Sequence, residues 1–143
     1  MSEVVFGEVD SGRLILANPK YGDDGEIWSV QVIVDAPAFR VETKVATHYA
    51  THFDEFIAYV NDLAEHWRGW TGTKTYESLE KDFSVVATND GGAHVFLHVK
   101  LSGPMTEPEW TLDATFSTEP GEQMLRAARD ARSLLSSRRG TSA

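Results

Sequence analysis

A chain of 143 residues with 41% hydrophobic side chains and no cysteine is sized for one domain with one core. The missing cysteine excludes disulfides, thiolate nucleophiles and thiolate zinc sites, and it suits a reducing cytoplasm. The formal charge of -9 opposes binding to nucleic acid or to an anionic membrane, while favouring a basic partner.

The start, MSEVVFGEVD, has acidic residues where a signal peptide needs basic ones, and no apolar run approaches transmembrane length. The expectation is a soluble cytoplasmic protein with one domain over 1–136 and a polar tail over 137–143. Charge is uneven along the chain. Residues 1–125 carry 21 acidic and 8 basic side chains, whereas 126–143 carry 5 basic and 1 acidic.

Residues 3–9 and 13–17 are apolar-rich around Asp10-Ser11-Gly12 and predict an opening β-hairpin. Residues 18–26 are polar and predict a loop. Its Asp23-Asp24 pair lacks the spaced ladder and closing glutamate of a calcium loop. Residues 27–35 alternate, with Trp28, Val30, Val32 and Val34 on one side and Ser29, Gln31 and Asp35 on the other. Residues 39–46 alternate again, setting Phe39, Val41 and Val45 against Arg40, Glu42 and Lys44. A period of two with one charged side predicts antiparallel strands with one wet face.

The period then changes. Phe53, Phe56, Ile57, Val60, Leu63, Ala64 and Trp67 recur at three- and four-residue spacing, the stripe of an amphipathic helix. Thr51 is the expected N-cap, Asp54 a shortened capping-box partner, and Gly69 a C-terminal stop. Trp70 is expected to plug the core beneath the turn, and Arg68 to pair with Glu77 or Glu80.

Residues 83–88 and 94–101 flank Asn89-Asp90-Gly91-Gly92 and predict a second hairpin. After a loop between Pro104 and Pro108, residues 109–116 set Trp110, Leu112, Ala114 and Phe116 inward. A final helix over about 121–135 places Met124, Leu125, Ala128, Ala131 and Leu135 on one side. The sum is an α+β fold: an antiparallel sheet of about seven strands with two helices packed on one face.

Trp67-Arg68-Gly69-Trp70, then Gly72, Lys74, Tyr76 and Ser78-Leu79-Glu80, is a distinctive run. With Gly91-Gly92-Ala93-His94-Val95 and Gly121-Glu122-Gln123-Met124, it resembles the actinobacterial domain of unknown function 6228 family. The resemblance covers most of the chain and implies no activity and no catalytic residue. The order of strands, central helix, strands and C-terminal helix is also similar to small immunity proteins that neutralise bacterial toxins. That likeness is architectural only.

Candidate sites are few. His48 and His52 are four apart and could share a metal on a helix, but a cap at Thr51 leaves His48 outside it, so no metal site is assigned. His94 and His98 share one strand face with Phe96 and Lys100, a polar surface with an aromatic on it. Asp54, Glu55, Asp62 and Glu65 lie along the polar side of the first helix, where they suit docking of a basic protein. Trp67, Arg68, Gly69 and Trp70 form a structural turn. No catalytic motif, phosphate-cradling loop or dinucleotide fingerprint occurs, and no cofactor is implied.

The leading expectation is a non-enzymatic acidic binding protein, an immunity-type inhibitor of a basic toxin. The alternative is a small-molecule-binding domain or small enzyme using the His94/His98 face. A third reading is self-association through the sheet around Phe96.

Overall fold

The computed structural model describes residues 3–47, 50–91, 94–103 and 110–136. Eight strands form two antiparallel four-stranded sheets rather than one sheet of seven. The first is β1 (Glu3–Glu8), β2 (Gly12–Tyr21), β3 (Ile27–Ala36) and β4 (Phe39–Ala46), in that spatial order. Helix α1 (Asp54–Glu65) follows, then β5 (Lys74–Glu77), β6 (Phe83–Asn89), β7 (Val95–Ser102) and β8 (Thr111–Thr118) as the second sheet, in that order. Helix α2 (Glu122–Leu135) ends the described chain. Every strand pairs with its sequence neighbour within its sheet, so the connections inside each sheet are hairpins or simple reversals.

One core joins both sheets and both helices. It takes Val4 and Phe6, Leu14 and Leu16, and Val30, Val32 and Val34 from the first sheet. Val85 and Ala87, with Leu97, Val99 and Leu101, come from the second. Phe56 and Leu63 of α1 and Met124, Ala128 and Leu135 of α2 close it. Alternation puts every second residue of most strands into this core, but the other face of the first sheet is not wholly wet: Ile15, Ala17 and Ile33 form a second buried cluster with Val5, and Phe39 is exposed. Phe56 sits at the centre, with ring contacts to Phe6, Phe53, Tyr59, Tyr76 and Phe83 at 5.0–6.4 Å.

The sheets approach each other at β1 and β8, where Phe116 of β8 lies against Gly7 and Gly12. At Gly7 the backbone has φ +98°, and an added Cβ would stand 2.2 Å from the Gly12 carbonyl oxygen. Only glycine fits this approach. Gln123 of α2 strengthens the junction. Its Nε2 donates to Glu8 Oε1 (2.5 Å), and its Oε1 accepts from Thr118 Oγ1 (2.7 Å).

Several local expectations change. The stretch 18–21 is strand, not loop, because β2 continues through a bulge: Ala17 pairs with Gln31, and the next pair is Lys20 with Ser29. A second irregularity at Tyr21, which pairs with Ile27, turns Ile27 into the core and leaves Trp28 48% exposed. A bulge reverses the side-chain phase beyond it, which alternation alone does not reveal.

The N-cap of α1 is Phe53, without a side-chain cap, and it is the Thr51 carbonyl that accepts the Asp54 N–H (2.9 Å). The capping box is therefore not formed. Trp67, expected in the apolar stripe, is 45% exposed, because α1 ends at Glu65 and the chain leaves the helical phase before the ring is placed. Gly69, at φ +118°, closes the turn through its N–H to the His66 carbonyl (2.9 Å). Leu125 is 55% exposed, and Ala127 and Leu134 take the buried places beside Met124, Ala128, Ala131 and Leu135. No described helix is long and apolar enough to cross a membrane.

Candidate functional site

The helices cover one face of the second sheet and leave its other face open. Period two places Val86 and Thr88 of β6, Phe96, His98 and Lys100 of β7, and Asp113 and Thr115 of β8 on that open face. Register brings His98 level with Val86 on one side and Thr115 on the other. Val86, Thr88, Phe96, His98 and Thr115 line a shallow depression of about 370 Å³.

The polar groups around this depression are held in place. The His98 Nε2 lies 3.3 Å from Asp113 Oδ1, and its Nδ1 lies 3.1 Å from Thr115 Oγ1. A carboxylate only accepts, so Nε2 carries the hydrogen, and in the neutral ring Nδ1 then accepts from the Thr115 hydroxyl. His94 stands at the mouth of the β6–β7 hairpin. Its Nδ1 lies 3.0 Å from Asp90 Oδ2, and its ring stacks on Phe96 with centroids 6.1 Å apart. Thus the histidines and Phe96 singled out in the sequence share one surface. Thr115, Asp113 and Asp90 complete it; alternation sets Asp113 and Thr115 outward, but only the register of β7 with β8 brings them to His98.

The carboxylates of α1 form a separate surface. At about 100° per residue, Asp54, Glu55, Asp62 and Glu65 fall within a sector of about 100° on the helix. Asp54, Glu55 and Glu65 are exposed. Asp62 is already engaged, by Lys74 Nζ at 2.8 Å and His66 Nδ1 at 3.0 Å. One of the four carboxylates is thus neutralised within the fold.

The tryptophan turn is anchored to the fold through Trp70. The Trp70 carbonyl accepts from Asn89 Nδ2 (2.9 Å), tying the turn to the β6–β7 hairpin, and its ring packs on the core. The Arg68 guanidinium lies 4.9 Å over the Trp67 ring, and among the described residues it makes no ion pair with Glu77 or Glu80. The short β5 strand draws Glu77 into a β-pair with Ser84 instead.

His48, half of the histidine pair weighed for zinc, lies outside the described residues. His52 is turned inward: its Nδ1 is 3.0 Å from the Ile27 carbonyl and its Nε2 is 3.5 Å from Glu26. Glu26, which the sequence hides in a polar loop, is 3% exposed. No group of three or more His, Asp or Glu side chains among the described residues is arranged to hold a metal ion.

Residues 7–138 match the model of a family of unknown function, DUF6228, and the chain belongs to that family. Neither the curated proteins nor the solved structures contain a match.

Proposed function

We propose that the chain is a non-enzymatic binding protein that engages another, basic protein through the open face of the second sheet, in the manner of an immunity-type inhibitor of a toxin. The observation that carries this reading is the Phe96 depression: a partly exposed aromatic beside Val86, ringed by polar groups whose orientation is already fixed. An apolar centre with an ordered polar rim suits a protein interface, because ordering costs are met before binding.

The charge of -9 supports a basic partner. The acidic sector of α1 lies apart from the open sheet face, and its role in this reading is long-range attraction, which speeds encounter without contributing contacts.

The test is co-purification of the tagged protein from its native host at low and moderate salt, followed by kinetics with the recovered partner. A stoichiometric basic protein should be retained, and Phe96→Asp should lose it. The triple variant Asp54→Lys, Glu55→Lys, Glu65→Lys should slow association and flatten its salt dependence while leaving dissociation unchanged. Retention of the partner by Phe96→Asp would sink the assignment of this face.

The Asp113–His98–Thr115 alignment supports a second reading, a small-molecule or catalytic site on the same face. There His98 would act as base toward the Thr115 hydroxyl and Asp113 would fix the ring. It requires that a small molecule bind at the Phe96 depression, followed by NMR, and that Asp113→Asn and His98→Gln weaken that binding. Binding unchanged in both variants would remove this reading.

A further inference from the structure

We infer that the outer face of the first sheet holds a separate site: a cleft that binds a small oxyanion, the phosphate or carboxylate group of a metabolite, between Lys20 and Lys44. The cleft exists because of the β2 bulge. Between the pairs Ala17–Gln31 and Lys20–Ser29, β2 has two residues where β3 has one. Asn18 takes a left-handed backbone, φ +52°, and Pro19 has no N–H to give to the ladder. The strand is thereby displaced, and a cleft of about 440 Å³ opens toward β4, within the range of small-molecule sites.

The groups facing the cleft select for an anion. Lys20 and Lys44 both line it, and among the described residues neither makes an ion pair. Two uncompensated ammonium groups sharing one cleft run against the charge of a protein at -9. Glu42 also lines the cleft, but its carboxylate is occupied. Its Oε2 accepts from Arg40 Nε at 2.7 Å, and its Oε1 accepts from Gln31 Nε2 at 2.5 Å.

The same chain of hydrogen bonds uses up a second acceptor. Gln31 Oε1 accepts from Asn18 Nδ2 at 2.5 Å. Each amide nitrogen keeps a second N–H, so Asn18 and Gln31 still have donors to offer. Ser29, only 8% exposed, adds its hydroxyl. The cleft therefore presents two cations and several donors, while Glu42 and the Gln31 side-chain carbonyl already accept hydrogen bonds, an arrangement that favours an oxyanion.

The test is a ¹H–¹⁵N NMR titration of the full chain with inorganic phosphate and, separately, citrate, at ionic strength held constant with chloride. Saturable shifts should centre on Asn18, Lys20, Ser29, Gln31 and Lys44, and the tighter of the two probes identifies the head group. Lys20→Ala with Lys44→Ala removes only exposed charges and should weaken binding about tenfold or more. Lys81→Ala with Lys100→Ala, as the control, should retain it. Shifts that fail to saturate, that spread over every lysine, or that survive the Lys20/Lys44 double variant would overturn the site. The Phe96 face lies on the other sheet, so Phe96→Asp should leave oxyanion binding unchanged and the two assignments fail or stand separately.

Discussion

The carboxylate of Glu26 and the imidazole of His52 meet at 3.5 Å beside the exposed ring of Trp28, joining the start of β3 to the entry of α1. The Ile27 carbonyl accepts from His52 Nδ1, so that nitrogen carries a hydrogen and Nε2 is left to face the carboxylate. His52 reaches this position only through a left-handed backbone, φ +56°. A non-glycine residue held there carries strain that the surrounding contacts must offset.

His52→Ala should therefore cost about 1–3 kcal/mol, by removing the imidazole's hydrogen bond to the Ile27 carbonyl and its packing against Glu26 and Trp28. His52→Gly loses the same imidazole but tolerates the backbone. It should be the more stable of the two by about 0.5–1 kcal/mol, after glycine's extra unfolded-state entropy is subtracted from the left-handed cost. Urea unfolding of the two variants side by side checks this. Equal stability would show that the φ angle carries no strain.

The aromatic cluster separates a core ring from a surface one. Phe56 is 1% exposed and touches five other rings, so Phe56→Ala should cost about 3–5 kcal/mol. Trp67 belongs to the same apparent stripe in the sequence but is exposed, and Trp67→Ala should stay within about 0.5 kcal/mol of the parent. Chemical denaturation of both variants decides it. A large loss at Trp67 would mean that this ring is covered.

Alkaline pH should unfold the protein through two tyrosines. Burial pushes the Tyr59 hydroxyl well above its ordinary value, with Asp62 adding to the effect. Burial does the same at Tyr76, with Glu55 and Asp82 adding to it. Both hydroxyls stay protonated in the folded chain while those of the unfolded chain ionise near pH 10. The unfolded state then binds fewer protons, so stability is complete below about pH 10 and falls above it by about 1.4 kcal/mol per pH unit for each group. Absorbance at 295 nm should show at least two of the four tyrosines resisting ionisation until the protein unfolds. Four tyrosines ionising together before unfolding would contradict the burial.

Period-two alternation along 27–35, 39–46, 83–88 and 94–101, with the period change at Phe53, was enough to set the strands, the central helix and most of the core. These signals are local: side chains alternate across a strand and recur every three or four residues on a helix, wherever the element ends up. The His94, Phe96 and His98 face was legible for the same reason. The family followed from the Trp67–Trp70 turn and the segments after it.

Other features depended on partners distant in sequence. Nothing near Glu8 or Phe116 announces that β1 and β8 approach, so the division into two sheets was hidden. Asp113 and Thr115 join His98 only through the register of β7 with β8. Glu26 looked like loop polarity until tertiary packing buried it beside His52. The bulge at Asn18-Pro19 changed the phase of β2 and opened the lysine cleft, although the same residues read equally well as a turn. Sequence thus determined the elements and their apolar faces, because those follow from local geometry. Tertiary structure alone decided the sheet division, the buried Glu26–His52 contact and the polar groups at each site, because these depend on which strands meet and in what register.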